Sequence, residues 1–269
     1  MTDGDGDVDE KRTIAEQTGS VGRMIFDNPK RLNAVSHSMW QDAVRILEQF
    51  STDDSIRAII VTGNGRKAFS AGDDISGFDE GRSDAESEAV FKLASERAME
   101  LLANAPKPTI AMIRGYCIGG GLETAITCDM RIAADSARFA IPAAKLGLGY
   151  DYAGIDRLVD LVGPSFAKEI FFTARQFSAR EALDMGLIDR VVPETMLEAE
   201  VANLTKVMTE NAPLTLQTVK QCLIEEGKDP GDRDLALCQR MVDACFASDD
   251  YIEGRQAFME KRKPAFQGR

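Results

Sequence analysis

A short apolar strand that breaks into three glycines and then a helix decides the fold, in residues 115–125, GYCIGGGLETA. A helix N-terminus presents unpaired N–H groups and about half an elementary positive charge, so it is suited to holding an anion. Glu123 lies in the first turn of this predicted helix. Taken alone, a glycine triplet before a helix indicates no more than tight packing.

A second glycine turn follows a predicted buried strand over residues 56–62, in residues 68–75, AFSAGDDI. Small residues at Ala71 and Gly72 allow the chain to turn sharply and bring backbone N–H groups close to a ligand. Two such donors aimed at one point form an oxyanion hole, and losing one donor costs about 3 kcal/mol of barrier lowering. Together, the two turns favour chemistry in which negative charge develops on an oxygen.

Strand and helix patterns alternate up to about residue 192, which indicates an α/β core. Ser36 is predicted to cap a helix that reaches Phe50. After Pro193 four helical patterns follow, which either cover their own core or pack against a partner subunit. We therefore divide the chain into a disordered acidic tail, a core and a helical region: 1–11, 12–195 and 196–269. The predicted strands include a hairpin at 14–29 and single strands at 55–65, 108–121, 128–134 and 137–142.

Composition excludes several classes of function. The chain has 269 residues and a net charge of −12, which argues against nucleic-acid binding because phosphate neutralisation needs a basic face. His37 is the single histidine, so a histidine-rich metal site is impossible, and we expect no metal. The five cysteines form no C-x-x-C pair and are expected to be free thiols. An acidic N-terminus and the lack of an 18-residue apolar run predict a cytoplasmic protein without a membrane partner.

Five motifs resemble, in order, those of the enoyl-CoA hydratase/isomerase (crotonase) family: NPKRLNA (28–34), AFSAGDDI (68–75), GYCIGGGLE (115–123), LGLG (146–149) and EGRQAFMEKRKP (253–264). The resemblance implies an α/β, crotonase-like spiral of ββα repeats, with the acyl-CoA site in the core and a C-terminal helical trimerisation region. It further implies a homotrimer or a dimer of trimers in fatty acid metabolism. Coenzyme A is expected as part of the substrate, with no separate cofactor.

The resemblance also implies roles for individual residues. The oxyanion hole would be the backbone N–H groups of Asp73 and Gly120. Other positions match the segments that contact substrate and coenzyme A in the family, with the last two contributed by a neighbouring subunit: Lys30, Leu32, Ala34, Ala71, Asp74, Ile75, Phe258 and Lys261.

The acid–base residues depart from the family pattern. Glu123 matches the first of the two hydratase glutamates, but Ala143 stands at the second position and cannot move a proton. Asp151 lies where some isomerases of the family carry an aspartate, and Tyr150 and Tyr152 add hydroxyl groups. Two mechanisms stay open, since hydration needs one group to activate water and another to protonate carbon, whereas isomerisation needs only a proton shuttle.

We therefore predict an acyl-CoA-processing enzyme of the enoyl-CoA hydratase type, which carries out hydration, dehydration or lyase chemistry through an enolate. The alternative is an enoyl-CoA or dienoyl-CoA isomerase that uses Glu123 and Asp151 as proton shuttle. A non-catalytic family member that binds coenzyme A or RNA is a third alternative, against which the acidic net charge and Glu123 both argue.

Overall fold

The computed structural model describes residues 11–74 and 85–269. The predicted acidic tail lies outside the described residues, except for Lys11. Ile75 also lies outside them. The strands are β1 (Arg12–Thr18), β2 (Val21–Asp27), β3 (Ala58–Gly63), β4 (Ala68–Ser70), β5 (Thr109–Ile113), β6 (Tyr116–Ile118), β7 (Met130–Ala134), β8 (Arg138–Ala140), β9 (Phe177–Ser178) and β10 (Arg190–Val192).

The described helices alternate with these strands in the core and succeed one another after β10. Two short 3-10 turns, at Pro29–Arg31 and Glu194–Met196, accompany them. The α-helices are α1 (His37–Thr52), α2 (Ala85–Ala103), α3 (Gly120–Thr127), α4 (Ala143–Leu146), α5 (Tyr152–Thr173), α6 (Ala179–Asp184), α7 (Leu197–Thr209), α8 (Pro213–Glu226), α9 (Leu235–Ala247) and α10 (Asp249–Glu260).

Two sheets share the strands of the core. One has the order β1-β2-β3-β5-β7-β10 and the other the order β4-β6-β8-β9. The hairpin β1–β2 is antiparallel, and from β2 to β10 every neighbouring pair in the larger sheet is parallel. Consecutive strands from β3 to β8 alternate between the sheets, and a helix follows each pair. The chain therefore winds as ββα repeats that stack the two sheets side by side.

The prediction of one continuous strand over residues 108–121 is wrong, because β5 and β6 belong to different sheets. Gly115 makes the change of sheet with a φ of +57°, and a Cβ there would lie 1.9 Å from the carbonyl oxygen of Lys67. The Tyr116 N–H donates to that same oxygen over 3.1 Å. Only glycine allows the two backbones to approach this closely.

Helix α1 covers one face of the core, as its apolar spacing predicts. Ser36 caps it by accepting a hydrogen bond from the Met39 N–H, which confirms the predicted helix start. Trp40 is almost fully buried, and its ring meets that of Phe26 edge to face with centroids 5.8 Å apart. Aromatic pairs of this kind stabilise a fold by about 0.5–1.5 kcal/mol beyond the contribution of the area that they bury.

The chain after β10 is helical in all its regular elements, as predicted. Leu197 and Val201 of α7 are fully buried against the larger sheet, whereas α8, α9 and α10 leave large apolar side chains exposed. The five cysteines are free, with Cys117 and Cys128 buried. Within the described part of the chain, no helix combines the length and the apolar character that crossing a bilayer requires.

Candidate active site

The two predicted backbone donors lie next to each other. Gly120 is the first residue of α3, where the N–H has no acceptor within the helix. Gly72 has a φ of +97°, and a Cβ on it would lie 3.3 Å from the nitrogen of Gly120. A Cβ on Gly120 would in turn lie 3.8 Å from the nitrogen of Asp73. The two N–H groups therefore belong to adjoining stretches of backbone, although β4 and α3 are about 50 residues apart in the sequence.

Backbone contacts hold these stretches in place. The Val35 N–H donates to the oxygen of Gly72 over 2.8 Å, and the Asp74 N–H donates to the oxygen of Val35 over 3.0 Å. Gly121 packs directly on the end of β4, because a Cβ there would lie 2.4 Å from the oxygen of Ser70. Helix α3 can therefore approach β4 closely only because Gly121 has no side chain.

Two cavities meet at these donors, with volumes of about 800 and 480 Å³. The larger extends between α1, α2 and α5 and is lined by Trp40, Met99 and Arg157, among others. The smaller extends toward the 3-10 turn after β2 and toward α4. Both cavities are lined by the same seven residues, Asp73, Gly120, Glu123, Leu148, Gly149, Tyr150 and Asp151.

Glu123 is the half-buried carboxylate at the junction of the cavities. Burial raises its pKa first of all, and the negative charges of Asp151 and Asp73 raise it further. A hydrogen bond from Tyr150 and the positive charge of Arg157 lower the pKa, but less than the other effects raise it. A carboxyl group with a raised pKa holds a proton more readily, so it is better suited to accept a proton and then return it.

Tyr150 is the polar side chain in hydrogen-bond contact with Glu123. Its hydroxyl donates to Oε2 of Glu123 over 3.2 Å. The ring meets that of Phe171 edge to face, with centroids 4.8 Å apart. Burial and the nearby carboxylates raise the pKa of Tyr150, so the hydroxyl stays protonated and remains a donor.

Asp151 combines two positions, one at a helix end and one at the cavities. Its Oδ1 accepts a hydrogen bond of 2.9 Å from the Gly154 N–H and so caps α5. The residue is exposed and lines both cavities, and its charge reaches Glu123. The structure thus brings together the two predicted catalytic carboxylates. The catalytic role of Asp151 stays a prediction.

Ala143, which the sequence motifs place at the position of the second hydratase glutamate, lies beside the site. It is the first residue of α4, is buried and lines the smaller cavity. Its methyl group offers neither a donor nor an acceptor. Tyr152, the other tyrosine considered from the sequence, is 79% exposed on the first turn of α5.

The predicted coenzyme A residues of the core fall into two groups. Ala34, Ala71 and Asp74 line the smaller cavity, and Leu32 adjoins it by accepting the Ala71 N–H over 3.0 Å. Lys30 is exposed on the 3-10 turn and is not among the described residues that line either cavity.

The structure does not bring the two predicted tail residues to these cavities within one chain. Phe258 lines a separate apolar groove formed by α8, α9 and α10, and Lys261 ends α10. Their predicted contribution from a neighbouring subunit stays a prediction. Among the side chains that the structure describes, in residues 11–74 and 91–269, no three His, Cys, Asp or Glu residues are grouped to hold a metal ion.

Several residues at the site were missed from the sequence. Arg31, rather than Lys30, lines the smaller cavity. Trp40 reaches the site with its indole N–H, which donates to Oδ1 of Asp73 over 3.3 Å, although its helical spacing indicated only a core residue. Arg157 and Gly154 face Glu123 from α5. The three-residue spacing of Asp151, Gly154 and Arg157, which places them on one side of a helix, is the signal that could have grouped them had a helix been predicted there.

Comparisons with known proteins extend over nearly the whole chain. The model of the enoyl-CoA hydratase/isomerase family matches residues 16–269. The short-chain-enoyl-CoA hydratase of Clostridium acetobutylicum is 33% identical over 93% of this chain and 95% of that protein. The carnitinyl-CoA dehydratase of Escherichia coli O157:H7 is 33% identical over 94% of this chain and 97% of that protein.

A solved structure, described as an enoyl-CoA hydratase/carnithine racemase from Magnetospirillum magneticum, superposes with a TM-score of 0.89 at 34% identity. The match covers 97% of each chain. It confirms the predicted crotonase-like α/β fold with helices at the C-terminus.

Proposed function

Because the chain belongs to the enoyl-CoA hydratase/isomerase family and is an enzyme of the hydratase type, we propose that it adds water reversibly across the double bond of a 2-enoyl-CoA thioester. Coenzyme A takes part as a component of the substrate. Dehydration of a 3-hydroxyacyl-CoA is the same reaction in reverse, and the carnitinyl-CoA dehydratase among the relatives supports that direction as well.

The position of Glu123 carries the proposal. Glu123 lines both cavities where they meet, as do Asp73 and Gly120, whose backbone N–H groups are the proposed oxyanion donors. A thioester oxygen held by those two N–H groups would place the acyl chain in the larger cavity and the pantetheine in the smaller. The α and β carbons of the acyl chain would then lie within reach of Glu123.

The reaction follows from this placement. Glu123 takes a proton from water while the water oxygen bonds to the β carbon, and the electron pair of the double bond moves through the α carbon to the thioester oxygen. The two N–H groups stabilise the resulting enolate, and such donors lower a barrier by about 3 kcal/mol each. Glu123 then returns the proton to the α carbon, so one carboxylate completes the addition without a second acid at Ala143.

Isomerisation is the second candidate, because the Asp151 carboxylate also lines both cavities and its charge raises the pKa of Glu123. In that reaction one carboxylate removes a proton from one carbon and returns it to another, without water. Product mass separates the two candidates, since hydration adds one water and isomerisation adds nothing.

The test incubates the protein with a panel of enoyl-CoA thioesters and follows products by mass and NMR. We expect products heavier by one water, and we expect Glu123→Gln to lower kcat at least about 100-fold, the usual worth of acid–base catalysis. Glu16→Gln is the matched control, because Glu16 is exposed on β1. A shifted double bond at unchanged mass would support the isomerase instead, and an unchanged rate in Glu123→Gln would remove its catalytic role.

We further propose that the chain forms homotrimers through α8, α9 and α10. These helices leave apolar side chains exposed, among them Phe246, Phe258 and Met259 at 62%, 82% and 79%. An apolar surface of this kind is typical of subunit interfaces. A dimer of such trimers is the alternative assembly, and we also propose a cytoplasmic location and a role in fatty acid metabolism.

A further inference from the structure

We propose that Tyr150 is a positioning residue that compensates for the missing second carboxylate: by donating to Glu123, its hydroxyl sets the orientation from which Glu123 exchanges protons with water and substrate. This inference rests on the proposed function, since it assigns a part in the same reaction. It is carried by the way in which three elements fix the two side chains against each other.

The hydroxyl of Tyr150 and the carboxylate of Glu123 come from different elements. Glu123 projects from the first turn of α3, and Tyr150 lies two residues before α5. The hydrogen bond between them is 3.2 Å long. The ring of Tyr150 cannot swing freely, because it packs edge to face on Phe171, which is in the last turn of α5. A donor held in this way limits the rotamers open to the carboxylate.

Gly154 provides the space that the pair occupies. A Cβ on this residue would lie 2.7 Å from Cε1 of Tyr150 and 3.3 Å from Oε1 of Glu123. Both side chains therefore pack against the same backbone position of α5. The Asp151 cap binds the Gly154 N–H and so fixes this turn of the helix. Any side chain at 154 would push the tyrosine and the glutamate out of their present arrangement.

The Tyr150 hydroxyl is one of several groups that set the pKa of Glu123, so its removal has a measurable effect. Asp151 and Asp73 face the carboxylate and raise its pKa together with burial, whereas Arg157 and the Tyr150 hydrogen bond lower it. Removing the hydroxyl therefore raises the pKa of Glu123 further. The ionised base then becomes scarcer at a given pH, and the acid limb of the pH–rate profile moves to higher pH.

Tyr150→Phe tests the proposal, because it removes only the hydroxyl and keeps the ring on Phe171. We expect kcat for hydration to fall about 10- to 100-fold, as for loss of a hydrogen bond to a charged group. We also expect the acid limb of kcat/KM to move to higher pH. Tyr152→Phe is the matched control, since Tyr152 is 79% exposed and two residues away.

Gly154→Ala is a second variant that reaches the same pair without changing either side chain. It should lower kcat and displace the acid limb, and it keeps the test decisive if Tyr150→Phe fails to fold. An unchanged kcat in Tyr150→Phe, or a reduced kcat with an unmoved acid limb, would overturn the positioning role. Failure of the proposed function would show separately, as a wild-type protein that adds no water to any thioester or a Glu123→Gln variant of full activity.

Discussion

Gly121→Ala tests whether the contact between α3 and β4 keeps the two proposed oxyanion donors, the N–H groups of Asp73 and Gly120, in position. A Cβ at 121 would lie 2.4 Å from the oxygen of Ser70 and 2.8 Å from its Cβ, whereas ordinary contacts begin at 3.4 Å. Helix α3 must therefore withdraw from the end of β4 by about 1 Å, and Gly120 moves with it while Asp73 stays with β4. A misplacement of about 1 Å in a catalytic arrangement can cost about 100-fold in rate.

The assay compares kcat and KM for hydration in the variant, the wild type and Gly231→Ala. Gly231 is a control because nothing lies within 4 Å of a Cβ at that position. We expect kcat to fall about 100-fold in Gly121→Ala and the free energy of unfolding to fall by about 1–3 kcal/mol, the usual cost of overpacking. A variant that loses stability and keeps its full kcat would refute the reasoning, because the donors would then tolerate the displacement.

Two other outcomes follow from the site and the C-terminal helices. Asp151→Asn removes a negative charge that raises the pKa of Glu123, so the acid limb of kcat/KM should move to lower pH. The asparagine still caps the Gly154 N–H, so Tm should change little. An acid limb that does not move would contradict the charge effect assigned to Asp151. Met259→Asp places a charge in the exposed apolar surface beside Phe258 and should convert the trimer to a monomer, as measured by light scattering. An unchanged molecular mass would contradict a trimer interface at this surface.

Strands β1, β2, β3, β7 and β8 and the two glycine turns could be predicted because their signals are local. Ser36 caps α1 as its position before an apolar helix pattern indicates, and the turns at Gly72 and Gly119 need a conformation that glycine adopts readily. The break at Gly115 could not be predicted in the same way. It depends on Lys67, almost 50 residues earlier, whose oxygen occupies the place of a Cβ.

The candidate site was predictable where backbone motifs determine it and not where side chains meet across elements. Asp73 and Gly120 come together because two turns adjoin. The Tyr150–Glu123 hydrogen bond depends on the packing of α5 against α3, which no local pattern specifies. The choice of Arg31 over Lys30 likewise depends on how the 3-10 turn is rotated toward the cavity.

The meeting of two cavities at Glu123 has a consequence for how this enzyme can change. Under the proposed reaction, the coenzyme end of the substrate is bound largely by the segments that follow β2 and β4, whereas the wall of the acyl cavity comes largely from α2 and α5. Substitutions near the C-terminal end of α2, such as at Met99, would therefore alter which acyl group fits without touching the coenzyme path or the proton-transferring carboxylate. Recognition of the common part and of the variable part of the substrate can evolve independently.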